Sequence, residues 1–74
     1  MSQLLLTPRD FGAIVRGARK SAGLTLVECA GANGVGVRFL SELERGKETA
    51  EIGLALRIAR SLGIEIHATT PKTK

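Results

Sequence analysis

Residues 23–46 read GLTLVECAGANGVGVRFLSELERG, and the spacing within this run governs the reading of everything around it. Thr25 is followed three positions later by Glu28, the pair that caps a helix start reciprocally: the hydroxyl accepts from the third residue's N–H and the carboxylate from the cap's own N–H. Ala30 falls on the inward side of the helix that follows. Gly34, four residues on, permits the positive φ of a sharp turn, and Asn33-Gly34 is itself a strong turn signal. Beyond the turn, Val35, Leu40 and Leu43 recur at helical spacing. A small residue, a glycine and three apolar positions at these intervals describe two short helices, about Leu26 to Ala32 and Val37 to Arg45, joined by a tight bend. This is the helix-turn-helix pattern.

Upstream, Thr7-Pro8 starts another helix. Thr accepts from a first-turn N–H, Pro8 has the φ of a first helical position, and Asp10 places negative charge where the helix dipole favours it. Phe11, Ile14, Val15, Ala18 and Ala22 then recur on one face, with Arg9, Arg16 and Lys20 mostly elsewhere, and Gly23 ends the helix. Before it, Met1 to Leu6 has no cap and no helical period, which leaves a frayed terminus or a short strand. Downstream, Gly46-Lys47 closes the second helix of the bend and Thr49 is the expected cap of a fourth. Ile52, Ala55, Leu56, Ala59 and Leu62 form its apolar stripe, which ends near Leu62 or Gly63. From there the period changes to two: Ile64, Ile66 and Ala68 alternate with Glu65, His67 and Thr69, a half-buried strand stopped by Pro71 and followed by the basic tail Lys72 to Lys74. One strand leaves its own backbone unpaired. It needs the Leu4 to Leu6 segment, a second copy of the chain, or both. The expected fold is mainly α: four helices in a single domain over residues 1–74, with a short C-terminal strand that pairs across a homodimer.

Seventy-four residues are few for a domain; a chain of this size buries only about 60% of its unfolded surface, so self-association adds useful burial. The chain is 43% apolar but has only two aromatics, Phe11 and Phe39, so its core is aliphatic. One Cys and one His make no metal cluster, and lone Cys29 forms no internal disulfide and suits a reducing cytoplasm. His67 lacks co-ligands and reads as an outward or partner-facing strand residue. Net charge +4 and a pI near 10.0 permit nucleic-acid binding without requiring it. The apolar run Leu4 to Leu6 is too short for a membrane span or a signal peptide, so a cytoplasmic protein with no membrane partner is expected. There is no Ser/His/Asp set, no paired-carboxylate motif and no phosphate loop, so no enzyme and no cofactor are expected.

The run from Gly23 to Gly46 resembles the lambda-repressor-like, or XRE-type, helix-turn-helix family, whose usual form is roughly GLTQxELAxxxGVSxxxISxLERG. The resemblance covers Phe11 to Gly63, and the closing Glu44-Arg45-Gly46 is among its more specific marks. The flanking TPRDFGAIVRGARKSAG and LRIARSLGIEIHA look more particularly like the HipB-like antitoxins of that family. The resemblance implies sequence-specific binding of a palindromic double-stranded DNA operator by a homodimeric repressor. It further implies an antitoxin role against a HipA-like Ser/Thr kinase toxin. A stand-alone phage-type repressor is the near alternative; a toxin-binding interaction module with weak DNA binding is the alternative of another class.

On that resemblance Val37 to Arg45 is the recognition helix, and its outward set is Val37, Arg38, Ser41, Glu42 and Arg45. Three of these are expected at bases: Arg38 forked onto guanine O6 and N7, Val37 against a thymine methyl, Glu42 accepting from cytosine N4. A solvated or phosphate-bound Arg38 and a merely solvated Glu42 are the plainer readings. Related repressors grip phosphates at the positions of Thr25, Ser41, Arg45 and Lys47, Thr25 from a helix N-terminus suited to anions. The family also pairs the arginine four before the helix-1 glycine with the glutamate of the Glu-Arg-Gly mark, which makes Arg19 and Glu44 an expected structural ion pair. Phe39 either completes the core or lies on the DNA side. Two positions depart from the pattern: Leu26 stands where the family has a phosphate-contacting Gln, and Gly36 replaces the usual Ser cap at a cost of a few tenths of a kcal/mol.

Overall fold

The structure is a computed structural model and describes residues 4–71; Met1 to Gln3 and the expected basic tail Lys72 to Lys74 lie outside the described residues. Four helices follow one another: α1 (Pro8–Ser21), α2 (Leu26–Ala32), α3 (Val37–Glu44) and α4 (Ile52–Ser61). The helix starts of α1 and α2 are reciprocal caps. Thr7 Oγ1 accepts from the Asp10 N–H at 3.1 Å while Asp10 Oδ2 accepts from the N–H groups of Thr7 and Leu6, each at 3.0 Å. Thr25 Oγ1 accepts from the Glu28 N–H at 3.0 Å and Glu28 Oε1 from the Thr25 N–H at 2.9 Å. α3 begins on Gly36 and α4 on Glu51, neither with a side-chain cap.

All four described helices end in one geometry, in which a glycine at positive φ turns the chain back and two N–H groups close on carbonyls of the last turn. At the end of α3 the Gly46 N–H bonds Leu43 O and the Lys47 N–H bonds Glu42 O, both at 3.0 Å. In the other three ends the residue after the glycine is Leu24, Val35 or Ile64, an apolar side chain packed against the core. Lys47 takes that place at α3, and its charge matters below.

The core gathers one or more residues from every helix: Val15 from α1, Cys29 and Ala30 from α2, Leu40 and Leu43 from α3, Ala55, Ile58 and Ala59 from α4. Phe39 and Val35 are partly buried against it. Truncating a fully buried side chain such as Leu40 to Ala removes transfer energy and leaves a cavity, together about 2–5 kcal/mol. α1 meets the end of α3 at Gly12, which is buried: a Cβ there would lie 2.6 Å from Glu44 O and nearer still to Leu43 O. The apolar period of α1 skips this position because its content is the lack of a side chain.

Two expectations require correction. Thr49 does not cap α4; the helix starts after Glu51, two residues later than a Thr49 cap would set it. Ile52 is not inward but 72% exposed. The buried set is Ala55, Ile58 and Ala59 with Leu62 beside it, and at 100° per residue Ile52 stands about 70° off the axis of that stripe. Ile58, absent from the sequence-derived stripe, is fully buried in its place. The strand expected over Ile64 to Thr69 pairs across a dimer, and a single chain offers it no partner copy. No strand is present among the described residues: this segment and Leu4 to Leu6 both leave the helices without a ladder joining them in the single chain. Ile64 is half-buried, and Ile66 and Ala68 are exposed.

α4 is tied to the bend at its other side. Arg57 Nη2 donates to Asn33 O at 2.6 Å, placing a cation on the carbonyl end of α2 where the helix dipole is negative. No helix among the described residues is long and apolar enough to cross a membrane.

Candidate nucleic-acid interface

α3 is amphipathic at a resolution of single residues. Leu40, Leu43 and Glu44 are buried, whereas Val37, Arg38 and Arg45 are exposed and Ser41 and Glu42 half-buried. The inward edge is fastened by charge as well as by apolar contact. Arg19 Nε and Nη2 meet Glu44 Oε2 and Oε1 at 2.7 and 3.0 Å, a two-pronged pair, and Arg19 Nη1 donates to Leu24 O at 2.8 Å. One guanidinium thus joins α1, the α1–α2 connection and the last turn of α3. The hydrogen-bonded Glu44 carboxylate raises the pKa of Arg19 further, against the opposing effect of burial. No buried side-chain polar atom is left without a partner among the described residues, so the pair is a satisfied structural element.

The outward edge carries a second ionic cluster. Glu42 Oε2 accepts from Arg38 Nε at 3.3 Å, one helical turn back, and Glu42 Oε1 accepts from Lys47 Nζ at 3.0 Å. Lys47 reaches it because the glycine-reversed end of α3 folds residue 47 over the last turn. These bonds, Lys47 first and Arg38 second, hold the Glu42 carboxyl below the usual carboxylate range. The Arg38 side chain is 91% exposed and Lys47 49%, so both cations stay open to solvent while paired.

The remaining expected contacts stand at helix termini. Thr25 is the exposed N-cap of α2; its oxygen accepts from Glu28, which leaves its hydroxyl proton free to donate outward. Arg45 is the exposed C-cap of α3. The structure therefore draws Arg38, Glu42 and Lys47 into one cluster, sets Val37, Ser41 and Arg45 along the same helix or at its end, and keeps Thr25 on α2.

Sequence reasoning missed the Arg38–Glu42–Lys47 cluster, although the four-residue spacing of Arg38 and Glu42 was visible as a helical pair. It also missed the Arg57 link to Asn33, for which a separation of 24 residues gives no local signal. Cys29 is buried, and its thiol pKa is pushed up by that burial, which makes it inert packing. Among the described residues no group of three His, Cys, Asp or Glu could hold a metal ion.

No family model matches the chain. Over 71 residues it is 45% identical to the uncharacterized HTH-type transcriptional regulator y4mF of Sinorhizobium fredii (strain NBRC 101917 / NGR234), covering 96% of this chain and 93% of that protein. The chain belongs to the HTH-type transcriptional regulators. This regulator also shares its fold with HipB. Against a HipB variant in complex with an O2 20mer the TM-score is 0.84 at 19% identity, over 97% of this chain and 100% of that one. Against a chain of the HipA-HipB-O2-O3 complex it is 0.82 at 20% identity, over 96% and 100%. At such identities the likeness is one of fold.

Proposed function

We propose that this regulator is a homodimeric repressor that binds a palindromic DNA operator and serves as the antitoxin to a HipA-like Ser/Thr kinase toxin. The observation that carries the DNA-binding part is the outward edge of α3: Val37, Arg38 and Glu42 stand free of the core while Arg19–Glu44, Leu40 and Leu43 fix the helix from behind. In this reading Arg38, Val37 and Glu42 meet base edges in the major groove, and Thr25, Ser41, Arg45 and Lys47 meet phosphates. The antitoxin part is supported by likeness to HipB, a chain of which stands with HipA in one solved complex.

The dimer part is supported by a groove of about 1130 Å³ bordered by Leu4, Leu5, Phe11, Ile14, Ile64 and Ile66, which no element among the described residues fills. A second copy supplying its own residues 64–69 (Ile64, Ile66 and Ala68 on the apolar side) would pair both backbones and cover that surface across a two-fold axis.

The test is a duplex selected by the chain from a randomised pool, titrated at several salt concentrations. About 3–5 phosphate contacts per subunit should give a steep fall of affinity with salt. A flat response overturns the DNA-binding reading. Co-purification of the full chain with the product of a neighbouring kinase-like gene tests the antitoxin reading, and loss of kinase activity in the complex is the expected result.

A further inference from the structure

We infer that the Glu42 carboxylate acts as a specificity filter: it occupies Arg38 and Lys47 in the free protein and penalises DNA that gives it nothing in exchange. The inference rests on the DNA-binding reading above and deepens it. Its ground is the cluster itself. Both oxygens of Glu42 are engaged, Oε2 by Arg38 and Oε1 by Lys47, the two residues assigned to base reading and to phosphate gripping respectively. The contact with Lys47 is built into the backbone. Of the four helix ends only that of α3 puts a charged side chain after the reversing glycine, and that side chain closes on the carboxylate of the residue whose carbonyl its own N–H bonds.

The consequences follow from charge. With Glu42 present, the three side chains carry a net charge of one cation toward the duplex instead of two. On a sequence without the right bases, Lys47 and Arg38 turn to phosphates, and the carboxylate is left facing a polyanion with its partners drawn away. On the right sequence Arg38 leaves for a guanine edge and Glu42 accepts from a cytosine amino group, so the lost ion pairs are replaced. Glu42 is thus a positioning and discriminating group whose effect on mixed-sequence DNA is repulsive, which is how specificity is raised by a feature directed against the wrong partner.

The experiment uses the full chain and two duplexes, one selected from a randomised pool and one of mixed sequence, with binding followed by fluorescence anisotropy across a salt series. Glu42→Gln should tighten binding to the mixed-sequence duplex roughly threefold to tenfold and steepen its log–log salt slope by about one unit, while binding to the selected duplex tightens less or weakens. The tightening should shrink to the direct repulsion between carboxylate and duplex when Glu42→Gln is made in a chain already carrying Arg38→Gln and Lys47→Gln. Glu42→Ala, its fold checked by thermal melting against the wild type, provides a second variant for the same comparison. Equal tightening on both duplexes, or weakening of the selected duplex with no change on the mixed one, overturns the inference while leaving the DNA-binding reading standing. A wild-type chain that binds neither duplex overturns both.

Discussion

Arg19 and Glu44, 25 residues apart, form a two-pronged ion pair at 2.7 and 3.0 Å, with the arginine also holding Leu24 O. The side chains are 8% and 4% exposed, so neither charge has water to fall back on. Replacing Arg19 with Met leaves Glu44 buried and uncompensated and should cost about 3–5 kcal/mol. Arg19→Met with Glu44→Leu should recover much of that loss, because the desolvation cost disappears with both charges. Denaturant melts arranged as a double-mutant cycle check this; additive effects of the two changes would show that the residues do not interact.

The glycines of this chain divide by what surrounds them, and alanine substitutions should differ in sign. Gly12→Ala sets a methyl against the carbonyls of Leu43 and Glu44, backbone atoms that cannot step aside, and should destabilise by about 1–3 kcal/mol or more. Gly46→Ala meets Arg9 Cα at 2.8 Å at a φ of +90° and should be destabilised as well. Gly31, within α2 and facing open space, should gain about 0.5–1 kcal/mol as Ala. Thermal melts of the three variants suffice.

The cap of α1 predicts an acid limb. Hydrogen bonds from the Leu6 N–H and then from Thr7 hold the Asp10 carboxyl below its usual 3.8. A depressed folded value means that this contribution is complete above the unfolded value and is lost as pH falls through the folded one. Stability measured from about pH 6 down to about pH 2 should therefore fall less in Asp10→Asn than in the wild type over the lowest part of the range. Thr7→Ala should cost about 1 kcal/mol at neutral pH.

Reader and gripper should separate under mutation. Arg38→Ala is expected to relax preference at one base position per half-site, worth about 1–3 kcal/mol, whereas Lys47→Ala should weaken all sequences alike. Identical behaviour of the two variants across a panel of operators would remove that division of labour.

Deleting everything after Leu62, or changing Ile66 to Pro, should give a monomer that keeps weak half-site contact but loses most affinity for a palindrome. Two recognition helices must stand about 34 Å apart to enter successive major grooves, and only a fixed dimer sets that distance. Light scattering showing an intact dimer in the truncated chain, with full operator affinity, would move the interface to a helix face.

Where the sequence was legible, local chemistry and distant packing agreed. Thr7, Asp10, Thr25 and Glu28 announce their helices because a cap is a contact over three residues, and Val15, Leu40 and Leu43 follow from period alone. The errors lie where tertiary context decides. Thr49 has the chemistry of a cap, but the chain does not turn into helix until Glu51; Ile52 has the character of a core residue, but the described residues leave it 72% exposed. Gly12 carries no apolar signal although it sits where α1 lies against the last carbonyls of α3. Arg19 and Glu44 were reached through family resemblance, since no local pattern joins residues that far apart. The Glu42 cluster was half-legible: its Arg38 arm has helical spacing, whereas its Lys47 arm depends on the direction the chain takes after Gly46.

At Gly12 the backbone of α1 lies against the last carbonyls of α3, and at Gly46 that of Arg9 closes on the turn beyond. A roll or slide of α3 would therefore drive backbone against backbone at both points. On the proposed reading, retargeting this regulator to a new operator is then a matter of replacing side chains at 37, 38 and 42 on a mount that stays put. Designs that tilt α3 itself would first have to rebuild α1.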